Sequence, residues 1–430
     1  MISRIVSVRG RRIWDSRGRP TVEAEVALEG GARGRGMAPA GASRGRNEAT
    51  DLRDGGPTFG GYGVAQAVAN LNGPIASSLV GLDARDQESV DATLCTLDGT
   101  STKSRLGGNA TVAASMAVLQ ASAAAENLPL WAYLAGQQDV CLPLPEIQIF
   151  GGGAHAGRRV DIQDFMVMPV GAQSFDEALV MCAEVYRHAG SLMEEQGRRT
   201  GVADEGGWWP EFDSNEEALS TLARAIEAAG YRNGEVAISL DIAASEFGAN
   251  QRYRLRLEAR ELGRDEWLEV LMGWVARYPI LSLEDPVAED DTEGMRTLTQ
   301  MLGDRVQIVG DDFLVTNAAR VDSAAARGAC NALLVKPNQA GTITEAWRAL
   351  KAAHRHGWSA IVSARSGETE DVTITHLAVG WNSGQLKVGS FARSERMAKW
   401  NEGLRIEEAL GGRARFAGRR ALPMFRERKP

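Results

Sequence analysis

Five short apolar runs in the second half of the chain, each closing on a polar residue, restrict the fold more than any other feature of the sequence. They are residues 236–240 before Asp241, 280–283 before Glu284, 306–310 before Asp311, 332–335 before Lys336 and 360–364 before Arg365. A strand buried on both faces reads as a continuous apolar run. The polar closures lie about 25 to 43 residues apart, a spacing that suits a strand, a helix and their turns. A doubly wound open sheet would tolerate the same spacing, but the first-turn glycine fingerprint it often carries is missing. A β/α barrel is the better reading. In a barrel, a polar residue at the C-terminal end of a strand faces the mouth, where chemistry is done.

The N-terminal third is patterned differently. Residues 2–8 and 20–28 alternate apolar and polar, as half-buried antiparallel strands do. A Gly- and Arg-rich loop is expected over residues 34–46, and residues 110–127 have the alanine content and apolar spacing of a helix. These features describe a small α+β capping domain over residues 1–136. Leu142-Pro143-Leu144-Pro145 marks the crossing into the barrel domain, residues 137–430. The fold class expected is therefore α/β.

Composition removes several functional classes. With 48 basic and 56 acidic residues the net charge is -8, and no basic stripe suits a nucleic acid or membrane surface. Arg413, Arg415, Arg419 and Arg420 read as a solvated tail. Cys95, Cys141, Cys182 and Cys330 lack the spacing of a zinc site or disulfide framework, so a reducing cytoplasm is the natural setting. No stretch reaches the roughly 18 apolar residues of a membrane span.

A lone acidic residue at a strand end is more often a helix N-cap than a ligand. Three acidic ends on consecutive strands, followed by a lysine and an arginine, are harder to explain that way. Hard divalent cations take oxygen ligands, and magnesium uses few protein carboxylates, with water or substrate completing its shell. Asp241, Glu284 and Asp311 would supply three such carboxylates. A structural ion-pair cluster with Lys336 and Arg365 is the competing reading. Lys336 lies one strand beyond the acidic group, where nearby cations can lower a lysine pKa and make a general base.

At these residues the chain resembles the enolase family over nearly its full length. The resemblance is carried by Trp14-Asp15-Ser16-Arg17-Gly18-Arg19-Pro20-Thr21-Val22-Glu23, Asn47-Glu48-Ala49-Thr50-Asp51-Leu52-Arg53-Asp54 and Asp204-Glu205-Gly206-Gly207. It continues through Leu283-Glu284-Asp285-Pro286, Gly310-Asp311-Asp312, Lys336-Pro337-Asn338-Gln339, Arg365-Ser366-Gly367-Glu368-Thr369-Glu370-Asp371 and Arg393-Ser394-Glu395-Arg396. It implies an enolase-type β/α barrel with an N-terminal cap, usually assembled as a homodimer or higher homo-oligomer. It also implies one or two magnesium ions per subunit, with Asp241, Glu284 and Asp311 on the first and the loop residue Ser43 on the second. A lysine base working beside magnesium is this superfamily's known means of stabilising an enediolate. By the same resemblance Lys336 takes the α-proton and Glu205 assists departure of the β-hydroxyl. Arg365 and Ser366 clamp a phosphate, Lys387 binds a carboxylate, and His155 and Gln163 line the pocket.

Four positions depart from the family pattern. The glutamate after Gln163 is here Asp164, the histidine before the Arg-Ser pair is Ala364, the mobile loop carries Arg44 after Ser43, and Trp208-Trp209 follow Gly206-Gly207. The changes gather around the leaving group and phosphate, while metal ligands, base and carboxylate clamp persist. The expectation is therefore an enolase relative of phosphonate natural-product metabolism, similar to carboxyphosphonoenolpyruvate synthases. Its substrate would be a phosphorylated or phosphonate carboxylic acid, with a cytidylyl-activated donor. Arg44 and Arg46 would add positive charge over the loop, and Trp208 or Trp209 would offer a flat face to the nucleobase. An ordinary glycolytic enolase converting 2-phosphoglycerate and a non-catalytic binding protein on the same scaffold are the alternatives.

Overall fold

The computed structural model describes residues 2–42, 45–232 and 234–426. The N-terminal part begins with a three-stranded antiparallel sheet, β1 (Ile5–Trp14), β2 (Pro20–Leu28) and β3 (Arg33–Met37), in that order. Against it lies α1 (Gly108–Ala125), a helix so rich in alanine that it can bury nearly every side chain.

Strand β3 corrects the expected loop, because residues 34–37 are paired with β2 rather than irregular. Glycine misled the reading. A Cβ on Gly34 would lie 2.2 Å from the Ala117 carbonyl oxygen, and one on Gly36 would lie 2.4 Å from that of Ala113. The two glycines face α1 at backbone contact, while Arg33 and Arg35 point to solvent. The strand is glycine-rich because a helix sits directly on it.

The remainder forms a closed eight-stranded barrel. Its strands are β4 (Leu144–Gly151), β5 (Asp164–Met168), β6 (Ala237–Asp241), β7 (Ile280–Glu284), β8 (Gln307–Gly310), β9 (Ala332–Val335), β10 (Ser359–Ser363) and β11 (Gly384–Gly389). Around the barrel the order is β7-β8-β9-β10-β11-β4-β5-β6. All five apolar runs are barrel strands. The barrel departs from all-parallel at one place, since β5 runs antiparallel to both β4 and β6. Its first residue, Asp164, therefore sits at the end where the other strands finish. A pattern that looks for polar residues after apolar runs cannot find it.

Helices ring the barrel, the longest being Phe175–Glu195 and Ser394–Leu410. The far end of the barrel is closed by the chain's own C-terminal segment. Ala421 and Leu422 are buried with Leu144, Met168 and Ala237, and the Ser359 hydroxyl donates to the Ala421 carbonyl at 2.8 Å. The expected solvated tail is thus an anchored floor. Its arginines 413, 415, 419 and 420 are nevertheless exposed. No helix among the described residues is long and apolar enough to cross a membrane.

The N-terminal part lies over the mouth. The Ala49 amide donates to the Gln339 carbonyl at 2.8 Å, the Thr111 hydroxyl to the Gly341 carbonyl at 2.8 Å, and Ala40 pairs with Gly367. Gly34→Val should cost roughly 2–3 kcal/mol in urea unfolding, because an added side chain must push α1 off the sheet. Arg35→Val on the opposite face should change stability far less.

Candidate active site

Barrel register brings the acidic strand ends level. Asp164 pairs with Asp241 across β5 and β6, and Asp241 pairs with Glu284 across β6 and β7. On the other side of the mouth, Lys387 of β11 lies beside Ser363 of β10 and Glu146 of β4. Of these, Asp164, Asp241, Ser363 and Lys387 line a small cavity whose walls also include His155, Gln163, Glu205, Lys336, Ala364, Arg365 and Ser366.

Buried charges of opposite sign interlock around the cavity. The Lys387 ammonium donates to Asp241 Oδ2 at 2.9 Å and Glu284 Oε2 at 2.8 Å. Lys336 Nζ donates to Asp311 Oδ2 at 2.5 Å, and Gln339 donates to Asp311 Oδ1 at 2.8 Å. Gln163 donates to Asp241 Oδ2 at 3.0 Å. Burial alone would lower the Lys336 pKa, but Asp311 and Glu284 outweigh it and the net direction is upward. Burial pushes the Glu284 carboxyl well above its ordinary value, and the neighbouring Asp241 adds to the shift.

The three carboxylates suit a hard divalent cation such as magnesium. They are oxygen donors from neighbouring strands. Glu284 Oε1 and Gln163 Oε1 are buried without a hydrogen-bond partner among the described residues, which leaves acceptor capacity unspent. Yet the three do not form the tightest cluster here. Carboxylate or imidazole atoms within 4.8 Å of one another occur in His155–Asp164–Glu205 and Asp285–Asp311–Asp312. Lysine ammoniums lie against Asp241, Glu284 and Asp311. Ser43 and Arg44, on which the second metal site and part of the loop charge were expected, lie outside the described residues.

A second titratable group, His155, Asp164 and Glu205, gathers on the cavity wall. His155 Nδ1 is 2.9 Å from Asp164 Oδ1, and its Nε2 is 3.6 Å from Glu205 Oε1. Burial works to lower the His155 pKa, but Asp164 and Glu205 raise it to about 9. Glu205 is held below its ordinary range despite burial, because His155, Arg396 and Lys387 favour its charged form. The imidazolium therefore carries the proton of this pair at neutral pH.

The Arg365 guanidinium is buried and forked on Glu48, at 3.0 Å and 3.3 Å, with Asn338 accepting at 3.1 Å. The carbonyls of Arg365 and Ser366 are gripped by Arg396, at 2.6 Å and 2.5 Å. Arg17 donates to the Ser366 hydroxyl at 3.2 Å and to the Ala40 carbonyl at 2.9 Å, joining that segment to the residues before the loop. Glu48, Arg17 and Arg396 each stood in a recognised motif, but no strand-end pattern distinguished them. Asp285, which accepts from the Asp311 and Asp312 amides at 2.9 Å and 2.7 Å, escaped for the same reason.

Trp208 and Arg46, both expected to serve a nucleotide donor, have partners within the protein. Trp208 stacks on Tyr186 at 4.6 Å, Arg199 lies over its ring at 5.6 Å, and its indole N–H donates to the Tyr186 carbonyl. Trp208 is thus packed on its neighbours, and neither it nor the half-buried Trp209 lines the cavity. Arg46 is paired with Glu289 at 2.9 Å, so its charge is locally balanced.

Comparison with known proteins agrees with this geometry. Residues 5–134 match the family model "Enolase, N-terminal domain", and residues 139–424 match "Enolase, C-terminal TIM barrel domain". "Enolase 1" of Desulfitobacterium hafniense (strain Y51) is 49% identical over 417 residues, covering 96% of this chain and 95% of that protein.

His155 should titrate near pH 9 in imidazole NMR, and Asp164→Asn should bring its midpoint down. Because the folded pKa is raised, its stabilising contribution is complete below the ordinary histidine value of about 6.5 and is lost as pH rises through about 9. Glu48→Leu, which strips the carboxylate from a buried arginine, should cost roughly 3 kcal/mol in thermal or urea unfolding.

Proposed function

The chain belongs to the enolase family, an enzyme of the lyase class, and on that premise we propose that it removes the α-proton of a phosphoglycerate-like carboxylic acid through an enediolate. The observation that carries this reading is the Lys336 amine, 2.5 Å from Asp311 at a cavity shared with Asp241 and Lys387. Asp241, Glu284 and Asp311 would hold magnesium. When bound, magnesium supplies positive charge to the substrate carboxylate and the developing enediolate, and offsets the carboxylates that now raise the Lys336 pKa.

The remaining roles belong to the chain's own groups. Lys336 Nζ takes the α-proton. Lys387 orients the substrate carboxylate, its ammonium fixed by Asp241 and Glu284. Arg365, steered by Glu48 and Asn338, and Ser366 bind the phosphoryl group, for which a guanidinium fork is well shaped. On the opposite face His155 holds a proton beside Glu205, where the β-hydroxyl departs. Asp164 keeps His155 charged.

The 49% identity to a protein named Enolase 1 makes 2-phosphoglycerate the first substrate to test. A second reading, the relative of phosphonate metabolism, is favoured by Ala364 and Asp164, whose short side chains line the cavity beside Arg365 and leave room for a different substituent. Purified protein with magnesium should convert 2-phosphoglycerate to an absorbing enolpyruvate. Deuterium exchange at the α-carbon without that absorbance would transfer support to the second reading. Lys336→Ala should reduce exchange by about 10²- to 10⁴-fold, and retention of exchange would overturn the base assignment.

A further inference from the structure

Gln148 of β4 is fully buried, and its amide joins two parts of the candidate site. Its Nε2 donates to Asp164 Oδ1, and its Oε1 accepts from the Gly207 backbone amide at 2.8 Å. The orientation is set by Gly207, whose backbone N–H can only donate, so Oε1 must face it and Nε2 turns to Asp164. Space enforces it too. A Cβ on Gly207 would lie 2.5 Å from Gln148 Oε1, and one on Gly151 would lie 3.1 Å from Oε1 and 3.2 Å from Nε2. Two glycines thus form the slot in which the amide lies.

The contacts close a circuit. Gly207 binds Gln148, Gln148 binds Asp164, Asp164 faces His155 at 2.9 Å, and His155 faces Glu205 at 3.6 Å. Glu205 then returns to Gly207 along two peptide bonds. Both donors converge on Asp164 Oδ1. Its Oδ2 is buried without a hydrogen-bond partner among the described residues and lies 3.9 Å from Lys387 Nζ. The ion pair with Lys387 thus acts on Oδ2, while both hydrogen-bonding contacts of the carboxylate are made at Oδ1.

We propose that Gln148 is a positioning residue for the elimination half of the reaction. It holds Asp164 on His155 against the pull of Lys387, and so keeps His155 and Glu205 aligned where the leaving group departs. This rests on the elimination chemistry proposed above. Lys336 and its carboxylates make no hydrogen bond to Gln148, so proton removal should depend on it much less.

Gln148→Met, which keeps the volume and removes both polar contacts, should slow enolpyruvate formation from 2-phosphoglycerate by about 10²-fold, the usual scale for an ångström of misplacement. Exchange of the α-proton with solvent deuterium should fall by less than about threefold. In substrate-free protein the Nδ1–H resonance of His155 should move, since its acceptor has lost its other donor. Gln148→Glu keeps an acceptor for Gly207 but donates to Asp164 only when the introduced carboxyl is protonated. Its elimination rate should therefore recover as pH falls, a dependence absent from Gln148→Met.

Equal loss of exchange and elimination, elimination at the wild-type rate, or an unmoved His155 resonance would each overturn the proposal. If the wild-type protein neither exchanges nor converts 2-phosphoglycerate, the substrate reading fails and the His155 resonance alone decides the role of Gln148. If Gln148→Met does not fold, the pH profile and resonance of Gln148→Glu decide it.

Discussion

The Lys387 ammonium, buried between Asp241 and Glu284, is the contact on which the rest of the mouth depends. Desolvating several carboxylates at one barrel end is costly unless cations are placed among them. Lys387 and Lys336 provide that balance, and Arg365 with Glu48 extends it toward the N-terminal part. The charges are set by neighbouring strands whose register is fixed by the barrel, so none can move without leaving another unpaired. This gives a rigid site in which electrostatic work is done before substrate arrives.

The cavity has two unlike sides. Around Lys336 the field is dominated by carboxylates available to a cation, and protons are held on lysine. Around His155 a positive ring lies between two carboxylates, and the proton rests on the imidazole. The proposed α,β-elimination would use both sides, Lys336 taking a proton once a bound cation has offset its carboxylates and His155 holding one across the cavity. Ala40, Ala49 and Thr111 tie the N-terminal part onto the loops of the mouth.

Legibility from sequence followed the periodicity of each element. The five continuous apolar runs declared themselves, since a strand covered on both faces must be apolar throughout. With them came Asp241, Glu284, Asp311, Lys336 and Arg365 at the strand ends. Strand β3 did not declare itself, because Gly34 and Gly36 answer to α1 lying on them and not to strand propensity. Asp164 was placed by resemblance and not by pattern, because β5 alone runs backwards. Lys387 lay hidden within a strand, Gly384–Gly389, whose other polar side chain, Gln385, reaches the floor at Ala421. Trp208 looked available to a ligand because sequence shows an aromatic ring but not that Tyr186 and Arg199 cover its faces.

By itself the sequence determined the barrel, the identity of the groups at its mouth and the family to which they belong. These follow from local chemistry: apolar runs bury, their ends do not, and particular residue types carry particular charges. Only the tertiary structure decided how those groups divide the work. Which lysine neutralises which carboxylate, which oxygen of Asp164 is spoken for, and how Gln148 ties β4 to the loop of Glu205 are set by contacts between residues far apart in the chain. Such contacts depend on distances of a few tenths of an ångström between side chains, and no spacing along a sequence encodes them.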